Sequence, residues 1–595
     1  MARTLSVVVL AAAVASMLEV YAQEDAFYIA DGRRISLPAA QRSSAVRIVE
    51  GRLDEFQAAV EKEPAVTLVP LPLLQQRYGI AFLGAAEGVE DEVFRRAVAV
   101  LEEHPAVESA VPVYRSGDVE LVLVNEFTVR FEPDVPLETG RELLERLGAD
   151  VLEIDERRSR FTVTFPREEP DAALRYINEL AVDPRTRYAQ PSLVRVLPPR
   201  IGFLEIPPPP TGSRGTPTAE PPPETASSSF PRCPSPAPDA VWTGSPNDAL
   251  FARQWSLRHT TAGRVGGAPG ADIRALAGWQ VSQGSADVTI AVLDLGVSSE
   301  HPDLKSKIVP GADVTGAGTT EPLLDDHHGT SIAGVAAAAS NNAVGIAGVD
   351  WHARVAPVRV SYSGCATGDC RWEWAPTLFV DGIYAAIDLG ARVLIGAWGW
   401  HGDPDDGLSD AIREAVEANA VVVLAAGQHQ AVFDADTPAC ATGEDRSVFY
   451  PANLAGSSDP ILAGGVIAVS ATDQWDDFQV HQCEDPQAYA IWGSNRGPEV
   501  SLSAPGTDIL SLTNYGGYAC YFGTSMSAPL VAGAAALLLA RYPDATPAEI
   551  KRWLQEGADY LGSDPTGRDD RYGHGRLNLA GAFEAAAADR GSSQE

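Results

Sequence analysis

A stretch that cannot contribute to a core constrains this chain first: between Leu197 and Pro238, 14 of 42 residues are proline. Proline lacks a backbone N–H and fixes φ, so the segment supports neither a helix nor a central strand, and residues 197–245 read as an extended linker. It divides the chain into two parts of different character. Upstream, residues 23–196 are charged and show short strand-like runs (Ala45 to Val49, Val66 to Pro70, Glu126 to Phe131, Arg160 to Phe165) between amphipathic helices. Downstream, residues 246–588 are rich in Ala, Gly and Val, and 589–595 form a tail.

Four downstream runs are continuously apolar: Val288 to Leu293, Val393 to Ile395, Ala420 to Ala426 and Gly465 to Ser470. Such runs belong to parallel strands covered on both faces, and helical stretches such as Phe379 to Leu389 and Leu408 to Asn419 lie between them. The predicted fold is a doubly wound α/β domain with a mostly parallel sheet, whose site lies at the carboxyl ends of its strands. Upstream, Pro105 and Pro184, Pro112 and Pro191, and Leu101 and Leu180 are each 79 residues apart. That repeat of helix end, proline and returning strand predicts two copies of a small α+β sandwich, 23–118 and 119–196.

With 80 acidic and 45 basic residues the net charge is −35, which argues against a nucleic-acid partner whose phosphates need clustered Lys and Arg. Residues 1–22 combine Arg3, an apolar run from Leu5 to Leu18 and a small-x-small site, the pattern of a secretory signal peptide. That run is too short to span a bilayer, so no stable membrane anchor is expected, and the chain reads as secreted, extracellular or periplasmic. An even set of six cysteines then favours disulfides. Cys365 and Cys370 flank a short loop and are the first candidates, Cys440 and Cys483 the next, leaving Cys233 and Cys520.

Three residues carry chemistry in combination. Asp294 ends the first apolar run, His328 opens a loop passing into a small-residue helix, and Ser525 lies just before the apolar helix Leu530 to Arg541. Each alone is ordinarily a turn former, a structural His or a cap. Together, a serine hydroxyl, an imidazole to take its proton and a carboxylate to orient the imidazole make a nucleophile. Backbone N–H groups at the start of the Ser525 helix would favour a developing oxyanion.

The order Asp…His…Ser is accompanied by His301-Pro-Asp-Leu, His328-Gly-Thr, Gly345-Ile-Ala-Gly-Val, Tyr450-Pro-Ala-Asn, Ser503-Ala-Pro-Gly506, Gly523-Thr-Ser-Met-Ser-Ala-Pro529 and Tyr572-Gly-x-Gly-Arg-Leu-Asn578. In these motifs the segment from Pro246 to Ala588 resembles the subtilisin-like serine peptidases, the subtilase or S8 family. The resemblance implies that Asp294 orients, His328 is general base and then acid, and Ser525 attacks the peptide carbonyl of a protein or peptide substrate. It implies that Ala397, Trp398 and Gly399, with Ala426 and Gly427, line the substrate strand. No cofactor is implied for the chemistry. A structural calcium ion is common in the family, and Asp272 resembles a position near one such site. The segment before the linker resembles a prodomain of the ferredoxin-like kind, which assists folding and acts as an intramolecular inhibitor.

The chain departs from the family pattern at three points. Gln428 stands where an Asn usually donates to the oxyanion beside Ser525, and its extra methylene moves the donor by about 1.5 Å unless the loop retracts. Ala397 replaces the usual Ser of the substrate strand, and Trp398 and Trp400 are expected to crowd or line the neighbouring pocket. Leu295 follows Asp294 in place of Ser or Thr, removing one hydrogen bond. A secreted, self-processing serine endopeptidase is the leading reading. A catalytically weakened fold serving as a binding or scaffolding module is its competitor.

Overall fold

The computed structural model describes residues 26–30, 32–116, 119–165, 170–196, 245–260, 267–323, 326–364, 371–402, 404–430, 445–480 and 492–592. The expected signal peptide and all but the last residue of the expected linker lie outside them. The chain divides into two compact units: residues up to Pro198 except Leu71–Arg77, and Leu71–Arg77 together with everything from Pro199 on.

The first unit contains the same arrangement twice. Strand Ser43–Ile48, helix Leu53–Val60, strands Val66–Val69 and Ile80–Ala85, helix Asp91–Glu102 and strand Val107–Val111 form a βαββαβ run, with one extra helix, Pro72–Tyr78, between its second and third strands. Its antiparallel sheet is ordered second, third, first, fourth strand. Strand Val119–Phe131, helix Leu137–Arg146, strands Asp150–Asp155 and Arg160–Thr164, helix Pro170–Ala181 and strand Thr186–Val196 repeat that run with the same strand order. Pro105 and Pro184 each stand two residues before the fourth strand of their copy. Each copy closes over its own apolar cluster, around Phe56, Phe94 and Leu83 in the first and Phe127, Phe131 and Phe161 in the second.

The second unit is built on a seven-stranded sheet, every neighbouring pair of which is parallel. Its order is Ala312–Asp313, Arg354–Arg359, Thr289–Asp294, Val393–Gly396, Val421–Ala425, Val466–Thr472, Leu502–Pro505. Both faces are covered, which is why the strands read as unbroken apolar runs rather than alternating ones. Ile290, Val292, Val421 and Val423 pack into one core with helices His328–Ala337 and Thr524–Arg541. Ala291, Leu293, Val422 and Leu424 pack into the other with helices Pro376–Asp388 and Asp406–Glu417.

Thr524–Arg541 is the one helix among the described residues long and apolar enough to cross a membrane, and 89% of its apolar window is buried, so here it is a core helix. It starts one residue ahead of Ser525, placing that residue in the first turn rather than before it. Residues 589–592, expected in the tail, extend the last helix, Leu579–Ser592, because Asp589 accepts hydrogen bonds from Arg552 at 2.9 and 2.7 Å and from Trp553 Nε1 at 3.0 Å.

Candidate active site

The chain leaves strand Thr289–Asp294 in one direction to add Arg354–Arg359, and the later strands from Val393–Gly396 onward add in the other. At such a switch point the loops diverge and open a crevice beyond the strand carboxyl ends. Asp294 stands at that end of its strand, and Ala397 follows the end of the neighbouring one, in register one residue on from the Leu293–Gly396 pair.

Asp294 is 2% exposed, and its carboxylate faces His328, whose Nδ1 lies 3.0 and 2.9 Å from the two oxygens. Leu295 donates its backbone N–H to Asp294 Oδ1 at 2.8 Å, so the main chain supplies a bond at the residue whose side chain has none to give. His328 is the first residue of its helix, and a methyl group on the next residue, Gly329, would strike the Gly296 carbonyl oxygen. That close approach brings the helix start against the end of the Asp294 strand. The ring of Trp372 packs edge-on to His328 with centroids 5.3 Å apart.

Ser525 occupies the first turn of its helix, and its Oγ donates to the Ala397 carbonyl at 3.1 Å. The preceding Gly523 has φ of 119°, a conformation costly for other residues, and a methyl group there would lie 2.5 Å from Gln428 Oε1. The Gln428 amide therefore reaches the turn that carries Ser525. Its Oε1 is buried with no hydrogen-bond partner among the described residues. The loop is fastened to the same helix start by a bond from Gly427 N to Thr524 Oγ1 at 3.2 Å.

The structure thus brings together Asp294 with His328, and Ser525 with Ala397, Gly427 and Gln428. Trp398 and Trp400 do not line this crevice. Trp398 turns into the helix-covered core, stacks on Phe379 at 3.8 Å and donates Nε1 to the Leu293 carbonyl at 2.9 Å. Trp400 lies in the same core against Trp374 and Tyr450, with centroids 4.5 and 5.1 Å away. Successive residues of an extended segment point to opposite sides, so a strand that offers Ala397 and Gly399 to the crevice buries the residues between and beyond them.

Asp272 clasps a loop: its Oδ2 accepts His259 N at 2.6 Å and its Oδ1 accepts Arg274 N at 2.7 Å. Burial pushes its carboxyl above the usual range. Cys233, Cys365, Cys370, Cys440 and Cys483 lie outside the described residues, and Cys520 sits in strand Tyr518–Tyr521. Two residues near the site escaped the sequence reading. One is Trp372, on a strand only four residues long, and the other is Phe449, 76 residues before Ser525 and in no helix or strand.

Comparison with known proteins places this geometry in context. Residues 285–575 match the profile of the subtilase family of S8 peptidases. A thermophilic serine proteinase of Bacillus sp. strain AK1 is 33% identical over 300 residues, 50% of this chain and 62% of that protein. Thermitase of Thermoactinomyces vulgaris is 33% identical over 313 residues, 52% of this chain and 94% of thermitase. Among solved structures, fervidolysin from Fervidobacterium pennivorans, described as a keratinolytic enzyme related to subtilisin, has the same fold at 21% identity. That match has a TM-score of 0.53 and covers 79% of this chain and 62% of fervidolysin.

Proposed function

Since the chain belongs to the subtilase family, we propose that it is a secreted serine endopeptidase in which Ser525, His328 and Asp294 hydrolyse peptide bonds through an acyl-enzyme. The observation that carries the reading is the Asp294 carboxylate held against His328 Nδ1 at 2.9 Å, which fixes the ring with Nε2 as proton acceptor. The Ser525 hydroxyl turns from the Ala397 carbonyl, gives its proton to His328 Nε2 and forms the Oγ–C bond to the substrate carbonyl. The oxyanion is met by backbone N–H at the helix start and by the Gln428 amide. The two ends of an amide have the same shape, so Gln428 turned end for end offers Nε2 where its orphaned Oε1 now lies. His328 then protonates the leaving amine as the C–N bond breaks, and water repeats the sequence to release the acid. Four side chains, those of Asp294, His328, Ser525 and Gln428, act with the backbone in this chemistry.

The first unit acts in this reading as a prodomain and intramolecular inhibitor, removed by self-cleavage within 197–245. Expression of the secreted chain beside its Ser525→Ala variant tests this: the native chain should shorten by about the length of that unit, and the variant should stay long. Equal trimming of both would assign the cleavage to another protease. The competing reading, a weakened fold that binds without cleaving, rests on Gln428 and its longer side chain.

A further inference from the structure

We propose that Phe449 fills the space beside Ser525 that receives the side chain on the acyl side of the scissile bond, restricting cleavage to bonds that follow Gly, Ala or Ser. The proposal rests on the peptidase reading above and specifies its substrate class.

The position of that space follows from the reacting atoms. A carbonyl carbon within reach of Ser525 Oγ, with its oxygen toward Gln428, puts the substrate backbone between residues 397–399 and residues 426–428. The side chain next to that carbonyl has to descend between these two segments. Each contributes a glycine to the passage, Gly399 and Gly427. A methyl group on Gly399 would lie 2.9 Å from Phe449 Cβ and 3.2 Å from Cδ2. One on Gly427 would overlap Phe449 Cγ and Cδ2 and stand 2.7 Å from Asn495 Nδ2. A single ring therefore touches both walls, and the room that two missing side chains would open is already taken.

The ring is also held in place. Phe449 donates its N–H to the Ala426 carbonyl at 2.9 Å, and its own carbonyl accepts Asn453 N at 2.9 Å. The ring meets His401 at right angles with centroids 4.5 Å apart. Val448 and Tyr450 on either side are 4% and 3% exposed, while Phe449 keeps partial exposure. Protein packing resists insertion of even a few extra methylenes, so a substrate Phe or Leu cannot share this passage with the ring.

The test uses the processed, full-length-expressed protein, with active sites counted by a serine-directed phosphonate. Peptides differing only in the residue before the cleaved bond, Ala or Phe, are compared by kcat/KM. The native protein should favour Ala by about tenfold or more, the scale on which a pocket discriminates side-chain volume. Phe449→Ala should shift that ratio toward Phe by at least about tenfold, with Phe449→Val as a milder change if the first does not fold. Equal rates on the two peptides, as a ring that swings aside would give, or a ratio unmoved by either variant, would overturn the proposal. Absence of phosphonate labelling would instead remove the peptidase reading, and the proposal with it.

Discussion

At the scale of single residues, the placement of one amide, that of Gln428, sets how well the proposed oxyanion is met. Gln428 is anchored by the neighbouring Gly427–Thr524 bond, so its side chain has to span the distance to the Ser525 turn by its own length. Removing one donor to an oxyanion costs about 10²–10³ in kcat while leaving the other donors and the nucleophile in place. Gln428→Ala should therefore lower kcat by about that factor with KM nearly unchanged, measured on a peptide substrate under active-site titration. A loss confined to KM would show that Gln428 binds substrate without meeting the oxyanion. The candidate triad was legible in the sequence because each member sits inside a dense local motif. Phe449 was not, since it lies 50 residues after Gly399 and 22 after Gly427, the two glycines it packs between, and no local motif links the three. Trp398 was legible as a residue and misread in direction, because one position along an extended segment reverses the face a side chain takes.

At the scale of elements, continuous apolar runs gave the parallel strands, and the structure explains them through two cores on opposite sides of one sheet. Boundaries were less legible. The helix of Ser525 was expected to start after it, yet Thr524 already belongs to the helix, and Pro529 lies within it. As the sixth helical residue, Pro529 forfeits the bond an N–H there would give the Ser525 carbonyl, and the helix runs on past it inside the core. The placement of Ser525 matters chemically: a residue in the first turn has its own backbone N–H pointing out of the helix, toward an oxyanion, rather than spent in the ladder. The duplicated βαββαβ run was legible in three spaced residues. Its strand order was not, because antiparallel register depends on which apolar faces meet in space.

At the scale of the whole molecule, a net charge of −35 coexists with carboxylates taken out of water. Asp508 is 6% exposed, and burial pushes its carboxyl up to about 6. Its ordinary value is near 3.9, so between about pH 4 and 6 the folded chain holds a proton that the unfolded chain has lost. Stability from this group therefore falls as pH rises through that window. Asp508→Asn, which keeps the shape and tolerates the φ of 50° there, should stabilise the protein at pH 7 by on the order of 1–3 kcal/mol and by little at pH 3.5. Thermal unfolding of both chains in a Ser525→Ala background measures this, and parallel pH profiles would contradict it. The central claim, that Asp294 and His328 make Ser525 a nucleophile, is tested most directly by intact-mass analysis after treatment with a serine-directed phosphonate. One phosphonyl adduct is expected, located on Ser525 by peptide mapping and absent from Ser525→Ala. A folded, processed native chain that takes up no adduct, or takes it up elsewhere, would contradict it.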